Sequence, residues 1–295
     1  MIVLITGSNG LLGQKIVKQL LNSKVQFIAS SQGDNRNPDC PEELYRKMDI
    51  SSHVEISTVF QEIKPTHVIH TAALTNVDYC ELNPELCYAI NVAATLIVIN
   101  EASKINAHFQ LLSSDFIFDG ENGPYAETDT PNPLSHYAKS KWQAEQLLHL
   151  GSYKNWSIVR TIIVYGQGHN LSRSNLILWA KGSLLAQQEI SVIDDQFRAP
   201  TWADDLAWAC IRICQLGKLG VYNACGPETL SIYDIVLRIA TFYNCDKNLI
   251  KKTNSKDLNQ AAIRPPKTGL VLIKSFNEFG YSPKLLEETL KLLDK

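Results

Sequence analysis

The chain has 295 residues, of which 45% are hydrophobic and 20% charged, and 28 basic against 30 acidic residues give a formal charge of -2 at pH 7. This is the balance of an ordinary globular chain with one large or two modest domains, and it argues against a nucleic-acid or anionic-membrane partner. The opening MIVLITG carries no basic leader or cleavage site, and no apolar run approaches the ~18 residues of a spanning helix, so a cytoplasmic protein is expected.

In chain order, IVLIT (2–6) is a short buried-strand pattern, and residues 10–22 place Leu11, Leu12, Ile16, Val17, Leu20 and Leu21 at helical spacing. VQFIAS (25–30) predicts a second strand, 52–63 a helix, HVIHTAA (67–73) a strand and 84–105 a long helix. HFQLLSS (108–114) and WSIVRTIIVYG (156–166) predict further strands, with a helix over about 134–150 between them. Strand–helix alternation of this kind implies an α/β fold, a doubly wound parallel sheet with crossover helices on both faces. After about residue 166 Gly and Pro mark boundaries in GQGH, GPET and RPPK, and helices over 203–216, 231–243 and 284–293 dominate. This marks a smaller, mainly helical region interleaved with the first. Seven cysteines (Cys40, Cys80, Cys87, Cys210, Cys214, Cys225, Cys245) are an odd number with no CxxC. They read as buried thiols in a reducing compartment, not as bridges or metal ligands. His67 and His70 alternate along a predicted strand and read as packed; no metal spacing is found.

TGSNGLLG follows the first strand and opens the first helix, with Gly7, Gly10 and Gly13 three apart. Glycines there permit a tight turn and let the N–H groups of the loop, including those of Asn9, Leu11 and Leu12, approach a pyrophosphate at the helix N-terminus. The spacing is GxxGxxG, not the GxGxxG of the usual dinucleotide fingerprint. At the end of the second strand, where an acidic residue binds the ribose of NAD, the chain has Ser30, Ser31, Gln32 and Gly33, with Asp34 and Arg36 further into the loop. Small polar groups and an arginine suit the 2′-phosphate of NADPH; NADH stays open, as does Arg36 decorating a loop. Asp49 and Ile50, in KMDIS, are placed to bracket an adenine, or Asp49 caps the next helix.

The segment HYAKSKWQAE (136–145) holds Tyr137, Lys139 and Lys141. Residues four apart share a helix face and residues two apart do not, so Lys141 is the partner of Tyr137 and Lys139 faces solvent. A phenol titrates near ~10; a neighbouring ammonium and the positive charge of an oxidised nicotinamide lower that value, which gives a proton donor or acceptor near neutral pH. SSDFIFDG (113–120) puts Ser114 at the C-terminal end of a predicted strand, on the ligand side of an open α/β sheet. Ser114, Tyr137 and Lys141 behind a glycine loop form a hydride-transfer constellation: Tyr137 handles the proton at oxygen, and Ser114 polarises that oxygen.

GxxGxxG, then HTAALTNVD with Asn91 beyond it, then YxxxK, resembles the extended short-chain dehydrogenases/reductases. SSDFIFDG, GPYAETDTPNPLSHYAKSKWQAE, RTIIVYG and DDQFRAPTWADDLA are similar to the dTDP-4-dehydrorhamnose reductases among them, nearly along the full length. The resemblance implies a Rossmann-type NAD(P)-binding domain over 1–166, with about 191–216 added, and a mostly substrate-binding region over 167–295. It implies catalysis by Ser114, Tyr137 and Lys141, and cofactor contacts from the glycine loop, Ala72, Ala73, Tyr137 and Lys141. It implies NADPH-dependent reduction of dTDP-4-dehydro-6-deoxy-L-mannose to dTDP-L-rhamnose, a nucleotide-sugar partner, and a homodimer as an open alternative.

The chain departs from the family pattern at Phe116, where many members have Tyr, and at Ile163, where many have Trp. Arg198 stands where a smaller residue is common. Asp115 is placed to bind a sugar hydroxyl or to act as a turn ligand. Arg173 and Arg264 suit a diphosphate, with Asn175 beside them. Two other functions stay open: an epimerase or dehydratase, disfavoured because Phe116 replaces the Glu that dehydratases carry after the Asp, and an NADP-binding regulatory subunit similar to that of methionine adenosyltransferase.

Overall fold

The computed structural model describes residues 1–294. Its strands β1 (Ile2–Thr6), β2 (Gln26–Ser31), β3 (Tyr45–Lys47), β4 (His67–His70), β5 (His108–Ser114), β6 (Trp156–Thr161) and β7 (Gly220–Asn223) form one sheet. The spatial order is β7-β6-β5-β4-β1-β2-β3, and every pairing is parallel. The chain order reverses between β1 and β4, so the crevice above their carboxyl ends is where such sheets take ligands. The helices are α1 (Leu11–Ser23), α2 (His53–Ile63), α3 (Val77–Leu82), α4 (Pro84–Lys104) and α5 (His136–Leu150). They continue with α6 (Leu176–Leu185), α7 (Ala203–Gln215), α8 (Ile232–Phe242), α9 (Ile273–Phe279) and α10 (Leu286–Leu290).

The two-residue period of a strand explains how a continuous apolar run serves two layers. Val3 and Ile5 of β1 pack with Ile16 and Leu20 of α1 and with Leu206, Cys210 and Ile213 of α7. Leu4, between them, packs on the opposite face with Phe60 of α2, Val98 and Ala102 of α4 and Leu148 of α5. Six of the cysteines are buried and all seven are free. Contrary to the expectation that no segment approaches a spanning helix, α4 is long and apolar enough to cross a membrane by length and composition. Here its inner side, with Val98, Ile99 and Ala102, lines the core of the sheet.

The smaller lobe has its own core, built from Ile177 and Leu184 of α6, Ile235 and Ile239 of α8, and Leu286 and Leu290 of α10. Ile190–Ile193 pairs in parallel with Ile250–Thr253 and buries into that core, outside the main sheet. Of the 191–216 stretch it is α7 that packs on α1, and the chain completes its return at β7, the sheet edge, beyond that range. Strands β3 and β7, of three and four residues, are not among the strands the sequence predicts. The run WSIVRTIIVYG is not one strand: β6 ends at Thr161, and Val164–Tyr165 pairs with Thr201–Trp202 instead. Between them Ile163 has φ +31°, a strained value for a β-branched residue, where the chain turns from the sheet into the small lobe.

Candidate active site

The glycine loop is held by sterics. Gly7 has φ +73°, and a Cβ there would lie 2.6 Å from the Ala72 nitrogen. A Cβ on Gly13 would lie 2.5 Å from the Gly7 carbonyl oxygen. The first turn of α1 has no side-chain cap and no acidic residue, so its N–H groups and dipole are left for an anion. Ser8, in the middle of the loop, is buried with its Oγ unpartnered among the described residues. A bare cradle that only glycine fits, an uncapped helix start and an orphaned hydroxyl together fit a dinucleotide pyrophosphate.

Asn9 is not a free ligand. Its Oδ1 accepts from Arg36 N at 2.9 Å, its Nδ2 donates to Asp34 O at 2.9 Å, and its N–H donates to Ser31 Oγ at 3.0 Å. It is a strut that joins the glycine loop to the loop after β2. Ser30 is fully buried and its hydroxyl donates to Ile5 O at 3.2 Å, inside the sheet. Arg36 is exposed, and its side chain has no ion-pair partner among the described residues. Asp49 does not cap α2: Ser52 does, accepting from Glu55 N at 3.3 Å. Asp49 instead accepts from Gln32 Nε2 at 2.8 Å and from Ser51, and these bonds hold its carboxyl below the usual range. Ile50 packs at the edge of the α2 core. Ala72 and Ala73 leave β4 half-buried beside Gly7. The far lobe reaches this end as well: Gln14 exchanges two 2.8 Å bonds with the backbone of His169, and Asn170 donates to Arg36 O.

On the other side of the switch point, α5 starts at the cap Ser135, whose Oγ accepts from Ala138 N. That start places Tyr137, Lys141, Ala144 and Leu148 on the buried face, and leaves Lys139 exposed. Lys141 is buried and donates to Leu112 O of β5 at 2.6 Å. Burial lowers its pKa from 10.5 to about 8, against Glu145 and Cys87. In the chain by itself, Tyr137 departs from the direction expected with Lys141 and a bound nicotinamide. Burial raises its phenol above 10, with Asp115 and Cys80 adding to that and Ser114 and Arg173 opposing it. Desolvation of a phenolate in this pocket outweighs any help from the Lys141 charge, because the Lys141 ammonium is itself desolvated and turned to a carbonyl.

Asn91 anchors this face. It lies in the π-helical turn Ala89–Ala93 of α4. Its amide brackets the backbone of Leu74, accepting from N at 2.8 Å and donating to O at 2.9 Å. It also donates to Ser140 Oγ at 2.9 Å, and Ser140 donates to Tyr137 O at 2.7 Å. The strand exit that carries Ala72 and Ala73 is thereby fixed to the helix that carries Tyr137.

Ser114 ends β5, nearly buried, with Oγ accepting from Phe116 N at 3.2 Å and donating to Asp115 Oδ1 at 3.1 Å. Asp115 is also buried and accepts from Thr268 Oγ1. Burial pushes its carboxyl up, against Arg198, Thr268 and Ser114. The Phe116 ring meets the Tyr137 ring edge-on at 6.1 Å, where a tyrosine was the commoner expectation. Arg264 is engaged bidentately by Asp78 of α3, at 3.0 and 2.6 Å. Arg173 donates to Thr75 Oγ1 at 2.6 Å. Both arginines therefore tie the small lobe to the segment after β4. Asn175 spends its amide on structure: Oδ1 caps α6 at Leu178 N and Nδ2 donates to Gly166 O at 2.9 Å. Thr268 and Arg198 complete the surroundings of Asp115; Arg198 stands out in the sequence as a departure from the family pattern, whereas Thr268 carries no signal.

A protein-family model described as the RmlD substrate binding domain matches residues 1–294. A dTDP-4-dehydrorhamnose reductase of Aggregatibacter actinomycetemcomitans is 30% identical over 303 residues, covering 98% of this chain and 97% of that protein. Methionine adenosyltransferase 2 subunit beta of Xenopus tropicalis is 26% identical over 246 residues, covering 82% of this chain and 72% of that one. Among solved structures, a dTDP-4-dehydrorhamnose reductase of Bacillus anthracis in complex with NADP superposes with TM-score 0.86 at 26% identity, covering 99% of this chain and 98% of that chain. The glycine cradle, the parallel sheet and the full-length match agree: this chain belongs to the RmlD substrate binding domain family, within the extended short-chain dehydrogenases/reductases, and is an NAD(P)H-dependent oxidoreductase.

Proposed function

We propose that the chain uses NADPH to reduce the 4-keto group of a nucleotide-linked 6-deoxy sugar, with dTDP-4-dehydro-6-deoxy-L-mannose as substrate and dTDP-L-rhamnose as product, in the cytoplasm. What supports this reading is that β5 ends at Ser114, that Tyr137 and Lys141 share the buried face of α5, and that the Tyr137 phenol faces the Ser114 hydroxyl. NADPH, when bound, supplies the hydride. Gly7, Gly10 and Gly13 leave room for its pyrophosphate, and the exposed, unpaired guanidinium of Arg36 suits a 2′-phosphate.

The chain's own groups then account for the proton. A phenol held above its ordinary value is protonated at neutral pH, so Tyr137 is poised to give a proton to the oxygen formed at carbon 4. Ser114 orients that oxygen, and the burial of both groups excludes water that would compete for it. Lys141, fixed by Leu112 O, is one turn along the same helix face.

The test is absorbance-monitored NADPH oxidation by the purified protein with the dTDP-4-keto sugar, beside Tyr137→Phe. The expected result is wild-type turnover, with the variant slower by about a thousandfold and with NADPH affinity kept. Undiminished turnover by the variant removes Tyr137 from this role. Tight NADPH binding without turnover favours the second reading, a binding subunit, which rests on the likeness to the methionine adenosyltransferase subunit.

A further inference from the structure

The largest fully buried side chain among the described residues is an arginine, Arg198, 1% exposed. Such a cation needs partners on every side. Nη1 donates to Phe197 O at 2.7 Å and Pro266 O at 3.3 Å. Nη2 donates to Pro265 O at 2.7 Å and to Gln196 Oε1 at 3.3 Å. These four acceptors all belong to the small lobe and leave Nε turned to Asp115, 3.9 Å from Oδ2. The guanidinium also lies over the Phe116 ring, 5.3 Å from its centre. Both contacts lead to the large lobe. Asp115 takes the hydroxyl hydrogen of Ser114, and Phe116 stands edge-on to Tyr137.

We propose that Arg198 is a positioning residue for the reaction: it holds Asp115 as a carboxylate beneath Ser114 and seats Phe116 against Tyr137. The small lobe thereby sets the geometry of the reacting pair. The inference rests on the roles given above to Ser114 and Tyr137. Arg198 touches neither of them and acts through its two neighbours. Among the described residues no other group around Asp115 can do this. It faces the hydroxyls of Ser114 and Thr268, the Tyr137 phenol and the Cys225 thiol, and none of these carries positive charge near neutral pH. Arg264, which faces Arg198, is neutralised by Asp78. A lysine at 198 restores the charge but neither the planar fork that satisfies several acceptors nor the face that stacks on Phe116.

The test compares wild type, Arg198→Met, Arg198→Lys, Asp115→Asn and the double variant Arg198→Met/Asp115→Asn. Melting temperatures are read first, at about pH 8 and about pH 5. An unpaired buried Asp115 has a folded pKa raised above its unfolded value, so its cost to stability grows as pH rises. Arg198→Met therefore melts lower than wild type, and adding Asp115→Asn recovers more of the loss near pH 8 than near pH 5. Equal recovery at both pH values, or none, overturns the charge pairing. Where Arg198→Met does not accumulate folded, Arg198→Gln, which also carries no charge, serves in the same comparison. The second readout is turnover: Arg198→Met lowers kcat by about tenfold or more with KM for NADPH within about twofold, and Arg198→Lys falls between. An unchanged kcat beside a positive melting cycle makes Arg198 structural only and overturns the proposal. A wild type inactive on the dTDP-4-keto sugar refutes the assigned substrate instead, and the melting cycle still decides the pairing.

Discussion

Replacing Lys141 by methionine should change how stability depends on pH, because burial and not surface charge sets the state of that amine. Lys141 is 5% exposed and donates to Leu112 O. Burial lowers its pKa from 10.5 to about 8 in the fold, whereas the unfolded chain keeps the proton up to ~10.4. Between those values the unfolded state binds more protons, so wild-type stability from this group rises with pH and is lost again as pH falls through about 8. Methionine carries no proton, so the difference between the two proteins reports chiefly this amine, with a smaller contribution from the neighbouring Cys87 thiol. At ~1.4 kcal/mol per pKa unit, wild type should gain roughly 2 kcal/mol relative to Lys141→Met between about pH 7 and about pH 9.5. The assay is urea unfolding of both proteins at several pH values, followed by circular dichroism. A stability difference that stays constant with pH, or moves the other way, refutes the buried-amine account. The same variant should lose turnover if Lys141 has its proposed place behind Tyr137.

Two further substitutions probe the cofactor end. Gly13→Ala puts a Cβ 2.5 Å from Gly7 O and 2.6 Å from Ser8 Cα; since both are backbone atoms the loop must shift. It should cost about 1–3 kcal/mol and weaken NADPH binding, read by melting and fluorescence titration; unaltered binding counts against the cradle. Arg36→Glu should weaken NADPH by about tenfold or more and NADH little, and equal losses for the two cofactors remove the 2′-phosphate contact.

What could be read from the sequence is what depends on neighbours along the chain. The strand period put Val3 and Ile5 on one face and Leu4 on the other. The helix period put Tyr137 and Lys141 together and Lys139 in solvent. The steric freedom of glycine placed Gly7, Gly10 and Gly13 at the turn into α1. Capping was less legible. Asp49 and Ser52 both have the chemistry for the start of α2, and only the path of the chain from β3 decides for Ser52.

The remainder belongs to tertiary structure. Asn9 looks like a loop ligand and is a strut, because the loop after β2 comes to rest on it. Arg264 looks like a diphosphate clamp and grips Asp78, 186 residues away. Thr268 reaches Asp115 across 153 positions, with Arg198 alongside. The direction of the Tyr137 shift reversed for the same reason. The sequence supplied the cation four residues on, but the degree of burial, which fixes what a charge costs, is known only when both lobes have closed around it. Local pattern is written in covalent geometry and repeats every two or 3.6 residues. Desolvation and charge pairing depend on which distant groups share a volume, and only the folded chain decides that.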